Sequence, residues 1–95
     1  MFTRMVIGEC LSEDQIRELR SRFKEELLPE LAKETGYVSQ SLLFEEGGNM
    51  AVFITTWKTR QDCLNHHSSR LYRQFVQKTQ HLLAGSYIVK IFRQE

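Results

Sequence analysis

Apolar and polar positions alternate along this 95-residue chain with two different periods, and the changes of period mark out its elements. Phe2 to Leu11 carries Phe2, Met5, Val6, Ile7 and Leu11. Both alternate sets are partly apolar, which predicts a first strand buried on much of both faces. Ser12, with Gln15 three residues on, has the form of a capping box, and Glu13 and Asp14 put negative charge at the positive end of a helix dipole. Ile16, Leu19, Phe23, Leu27 and Leu31 then recur at three- and four-residue steps, so one stripe of a helix faces a core. The charged residues between Arg17 and Glu26 occupy its solvated side. Pro29 has no backbone N–H to donate and predicts a kink or restart; Gly36 predicts the C-terminal stop.

Tyr37 to Glu45 predicts a second strand, with Val38, Gln40, Leu42 and Phe44 on one face and Ser39, Ser41, Leu43 and Glu45 on the other. Gly47-Gly48-Asn49 supplies residues that tolerate positive φ, as a tight hairpin requires. Met50 to Trp57 then returns antiparallel beside the second strand. Thr59 can cap the next helix, with Asp62 at the box position. Its apolar stripe runs Leu64, Leu71, Phe75 and Leu82 or Leu83. Ser68-Ser69 interrupts that stripe and can cap a new segment, which predicts a short helix, a break and a longer helix. Gly85-Ser86 ends it, and Tyr87 to Phe92 is the last strand.

The order β-α-β-β-α-β predicts one α+β domain over residues 1–95 of ferredoxin-like type, an antiparallel four-stranded sheet with helices on one face. Alternate strand positions are apolar in both sets: Met5/Ile7, Leu42/Phe44, Val52/Ile54 and Ile88/Phe92, set against Val6, Leu43, Phe53 and Ile91. A sheet apolar on both sides needs covering on both, and the chain has no third layer. A second copy packed sheet to sheet, a homodimer through the open face, is the economical solution.

Composition narrows the classes. With 41% hydrophobic and 26% charged residues and a net charge of +1, nothing electrostatic calls for nucleic acid or an acidic membrane. No apolar run approaches the ~18 residues of a membrane span, and MFTRMVIGE has no signal-peptide pattern. Cys10 and Cys63 match no metal spacing and read as reduced thiols of a cytoplasmic protein.

From Gly36 to Phe75 the chain resembles the antibiotic-biosynthesis-monooxygenase-like family of dimeric α/β barrels. The resemblance rests on Gly36 before strand two, Ser41-Leu42-Leu43, the Gly47-Gly48-Asn49 hairpin and the junction Thr56-Trp57-Lys58-Thr59-Arg60. His66 follows nine positions after the tryptophan, then Ser69 and Tyr72. Haem-degrading members of this fold carry an asparagine in strand one, a tryptophan in the second helical region and an axial histidine ten residues on. Those places here are Met5-Val6-Ile7-Gly8-Glu9, His66 and Val76, which argues against haem. His66-His67 is a poor metal pair, because adjacent helical residues point about 100° apart.

What the resemblance implies is oxygenation without a cofactor: a phenolic or quinol-type substrate loses a proton in an apolar cavity, and its anion reduces oxygen directly. His66 would be base or proton shuttle. Trp57, Phe44, Phe53 and Tyr72 would be walls, and Tyr72 could donate to a developing oxyanion. His67 lies on the apolar stripe, three after Leu64 and four before Leu71, and reads as a satisfied core histidine. The competing reading is a small-molecule-binding or stress-response module of the same fold without catalysis.

Overall fold

The computed structural model describes residues 1–95. Four strands, β1 (Phe2–Glu9), β2 (Tyr37–Phe44), β3 (Met50–Trp57) and β4 (Ile88–Arg93), form one antiparallel sheet in the order β2-β3-β1-β4. Helices α1 (Glu13–Arg22), α2 (Leu28–Leu31), α3 (Arg60–His67) and α4 (Arg70–Thr79) cover one face. This is the ferredoxin-like arrangement that the periodicity predicts. No helix is long and apolar enough to cross a membrane.

β1 and β3 pair without a break from Phe2 opposite Trp57 to Glu9 opposite Met50. Residues directly opposite share a face, so the register sorts every side chain. The helix-covered face takes Phe2, Arg4, Val6 and Gly8 from β1, Ala51, Phe53, Thr55 and Trp57 from β3, and Gln40, Leu42 and Phe44 from β2. The bare face takes Met5, Ile7, Val52, Ile54, Leu43, Ile88 and Phe92. Leu43, Ile88 and Phe92 are 50–54% exposed there. Leu42 and Phe44 therefore lie opposite the face on which they were grouped with Met5 and Ile7. The cause is the hairpin: Glu46 to Asn49 form a four-residue loop that sets Leu43 against Val52. Of its glycines only Gly47 has positive φ, +75°. A bulge between Tyr37 and Ser39 lifts Val38 out of the alternation and returns Tyr37 to the covered side, edge-on to Trp57.

The core lies between sheet and helices around Leu19, Phe23, Leu27, Leu31, Phe53, Trp57 and Phe75. Pro29 breaks the first helix as expected, and the break takes the form of a π-helical turn over Phe23–Leu27. Leu28 N–H reaches five residues back to Phe23 O before α2 restarts. Thr59 caps α3 through Asp62 N at 3.1 Å, and Ser69 caps α4 through Tyr72 N at 3.1 Å. Ser12 does not cap α1: its hydroxyl donates to the Gln15 side-chain carbonyl, leaving the backbone N–H groups of the first turn to solvent. Gly36 sits five residues beyond α2 rather than at its end. Its φ of +81° turns the chain into β2, its carbonyl accepts from Lys58 N at 2.8 Å, and the Asp62 side chain fills the space where a Cβ would stand.

Gly36→Ala is therefore expected to cost about 1–2 kcal/mol from the left-handed backbone, with Asp62 displaced in addition. The thermal midpoint should fall by roughly 5–10 °C. Gly85→Ala, where a Cβ meets nothing within 4 Å and φ is not positive, should leave that midpoint within a degree or two.

Candidate active site

A cavity of about 60 Å³ lies between the sheet and the helices. Phe23, Phe53, Phe75, Tyr72, Tyr87 and Val6 are among the residues of its wall. The phenylalanines form a connected aromatic group, with ring centres 4.8 Å apart for Phe23–Phe53 and 4.7 Å for Phe23–Phe75. The π-helical turn begins at Phe23 and so supplies the ring that bridges the other two. Leu83 and Tyr87 pack over Gly8, where a Cβ would meet them at ordinary contact distances of 3.4 and 3.5 Å.

Next to Tyr72 the apolar wall gives way to a buried polar cluster. Arg4, on the covered face of the central strand β1, is fully buried. Its guanidinium lies 4.2 Å from the Tyr72 ring centre. Nε and Nη2 of Arg4 donate to His67 Nδ1 at 3.3 and 3.0 Å, while Nη1 has no partner. His66 is also fully buried, with its ring stacked on Trp57 at 4.8 Å and 5.2 Å from Tyr72. Its Nδ1 meets both Glu34 carboxylate oxygens, at 3.1 and 3.3 Å. A carboxylate can only accept, so Nδ1 carries the proton and the unpartnered Nε2 presents its lone pair.

The electrostatics follow from burial. Desolvation, followed by the nearby charges of Arg4 and His67, pushes His66 down to about 3, so the imidazole is neutral at ordinary pH. Burial and then Arg4 also lower His67. Burial raises Glu34, which stands between His66 and the surface. Tyr87 is raised by burial first and then by its neighbour Tyr72, with Arg4 pulling the other way. Both cysteines are buried and pushed up by that burial, so neither is an activated thiol.

The anticipated residues thus divide. Phe53 and Tyr72 line the cavity. Trp57 does not: it is wholly buried, and its indole N–H is held by Thr55 Oγ1 at 3.0 Å. Phe44 lies apart, at the end of the sheet under the Arg20 guanidinium, 4.9 Å away. His66 sits behind Tyr72 and Trp57 rather than in the cavity wall. His67 is exposed, not a core histidine: α3 packs with the face of Cys63 and His66 inward and leaves His67 at the rim against Arg4. Arg4, Glu34 and Tyr87 join the site without having been singled out. For Arg4 the available signal was a lone cation on the same alternation as Phe2, Val6 and Gly8.

The chain is thus a ferredoxin-like α+β domain with an apolar cavity between sheet and helices and a buried polar cluster beside it. The sequence profile of the antibiotic biosynthesis monooxygenase family matches residues 9–78, and the chain belongs to that family. No curated protein sequence matches. Among solved structures, a conserved protein from Methanosarcina mazei has a TM-score of 0.84 at 19% identity, over 100% of this chain and 94% of that one. A Streptomyces coelicolor monooxygenase from the gene ActVA-Orf6, bound to nanaomycin D, scores 0.86 at 13% identity, covering 99% and 87%. SnoaB, a cofactor-independent oxygenase from Streptomyces nogalater in a mutant form, scores 0.82 at 17% identity, covering 98% and 91%. At these identities the likeness is one of fold.

The depressed His66 has a consequence for stability. The unfolded chain takes up a proton near pH 6.5 that the folded chain refuses until about 3, so stability falls as pH drops through that window. His67 acts in the same sense, whereas Glu34, raised when folded, opposes it at lower pH. Urea unfolding at pH 6.5 and pH 4 should show a loss of roughly 3 kcal/mol. His66→Phe, which keeps a ring on Trp57 but has no proton site, should remove most of that loss.

Proposed function

We propose that the protein is a cofactor-independent monooxygenase that oxidises a small phenolic or quinol-type aromatic with molecular oxygen. The observation supporting this most is neutral His66, with a free Nε2 and a ring 5.2 Å from Tyr72, standing just behind the wall of a largely apolar cavity. A resting imidazolium could not take a proton; this imidazole can. Because it cannot keep one near neutrality, it works as a shuttle. Nε2 takes the phenolic proton while Nδ1 passes its own to Glu34, whose raised carboxyl is the better acceptor and reaches the surface. Tyr72 and Phe53 hold the ring, and Trp57 fixes the plane of the imidazole.

The chemistry balances without a further reductant. A phenol with a free para carbon gives up its O–H and C–H hydrogens and four electrons to O₂. One oxygen atom becomes the new carbonyl of a quinone, and the other leaves as water. Water exclusion by the apolar wall protects the intermediate radical pair. The cavity is smaller than the roughly 150 Å³ that holds benzene in an engineered core, so a single ring enters only as flexible wall side chains such as Leu83 and Gln80 swing aside.

That small volume, together with His66 standing behind the wall, favours one competing reading, a non-catalytic binding module. Oxygen uptake with a panel of hydroquinones, naphthols and anthrone-type phenols separates the two. Parent protein should consume oxygen with at least one substrate, and His66→Gln and Glu34→Gln should each reduce the rate by roughly a hundredfold or more. Uptake untouched by His66→Gln would remove the shuttle; no uptake with ligand still bound would favour the binding module.

The assembly we infer is a homodimer that buries the bare sheet face, since Met5, Ile7, Val52 and Ile54 at its centre have no cover from their own chain. Sedimentation at micromolar concentration should give twice the 11.2 kDa subunit mass, and Ile54→Glu should yield monomer or aggregate.

A further inference from the structure

Arg4 is the buried group that the shuttle does not use. A guanidinium is a permanent cation, and taking one out of water costs several kcal/mol unless an anion or a full set of acceptors compensates. Its surroundings hold no anion. His67 Nδ1, a neutral acceptor, takes two N–H groups; the Tyr72 ring covers the flat face; Nη1 is left with both hydrogens unpartnered at zero exposure. Its charge contributes to the shifts of His66, His67, Cys63 and Tyr87, and Arg4 forms no ion pair with any carboxylate. Glu34, the acid of the cluster, is engaged with His66. Two of the groups beside Arg4, Tyr72 and Tyr87, also line the cavity.

We propose that Arg4 is the anion-holding residue of this cavity. Arg4 stands behind Tyr72 and Tyr87 rather than in the cavity wall, and when those two side chains part its free Nη1 binds the ionised oxygen of a phenol or enol that enters between them. The claim rests on the monooxygenase reading for its substrate class but not for its physics. A buried cation with an unused fork donor selects a singly charged oxyanion over the neutral molecule. It also supplies what the shuttle lacks, because a phenol gives up its proton to a weak acceptor only where the resulting anion is stabilised. A carboxylate would present the same oxygen chemistry, so the two sources must be told apart.

4-Nitrophenol, whose ionised form absorbs in the visible, is a suitable probe, titrated into the intact protein across a range of pH. The parent is expected to bind the phenolate at least tenfold more tightly than the phenol, seen as a downward shift of at least one unit in the apparent ionisation of the bound probe. Arg4→Met should abolish that preference, and Arg4→Lys, which keeps charge without the fork, should retain part of it. Equal affinity for both forms in the parent, or no binding of either, overturns the proposal without recourse to any variant, and so does a preference that survives Arg4→Met. Arg4-dependent binding of benzoate with no phenolate preference would overturn the phenolate assignment in favour of a carboxylate. Oxygen uptake is measured separately: phenolate selection without uptake keeps Arg4 and loses the oxygenase, and uptake without selection does the reverse.

Discussion

Eight unbroken residue pairs between β1 and β3 are the constraint on which the rest of the molecule depends. They place Arg4 opposite Thr55, Val6 opposite Phe53 and Phe2 opposite Trp57, all under the helices. Arg4 is thereby enclosed where no water can reach it, and Trp57 lies where His66 can stack. A shift of one residue would bring Met5 and Ile54 under the helices and send the cation to the bare face. The register therefore sets the position of the cation as well as the shape of the core.

Around that pair the site is built from environments rather than from a recognisable motif. Burial strips His66 of its charge, the Glu34 carboxylate fixes its tautomer, and the stack on Trp57 fixes its plane. Arg4 reinforces the first effect, because a nearby positive charge further disfavours imidazolium. Cation and neutral imidazole are thus mutually consistent, and each leaves one nitrogen without a partner. The cavity contributes the opposite quality, three packed phenylalanines with no polar group among them.

Much of the fold was legible because strand and helix periods are local. The β3 limits, the Thr59 and Ser69 caps and the break between α3 and α4 could be read from residues within one turn of each other. Faces were harder. Whether Leu42 or Leu43 joins Met5 depends on which residues pair across the hairpin rather than on either strand alone, and the pairing sets Leu43, not Leu42, against Val52. The Ser12–Gln15 pair has the right spacing for a capping box, but the two side chains bond to each other instead. The site was only half legible. Phe53 lies on its strand's apolar alternation and Tyr72 one step off the Leu71/Phe75 stripe, and both reach the cavity, whereas adjacent His66 and His67 differ by a rotation that only the packing of α3 resolves. Glu34 is 32 positions from His66, and no periodicity connects them.

The strict alternation in β1 and β3 gives the chain two inventories written on one ribbon. Even-numbered positions of β1 and odd-numbered positions of β3 furnish the chemical interior; their neighbours furnish the outer skin. Point substitutions can therefore revise what the pocket accepts without touching the skin, and the skin can drift without altering the pocket. A single-residue insertion within β1 has no such freedom, since it exchanges the two inventories beyond that point, and related chains should tolerate length changes only in the connections.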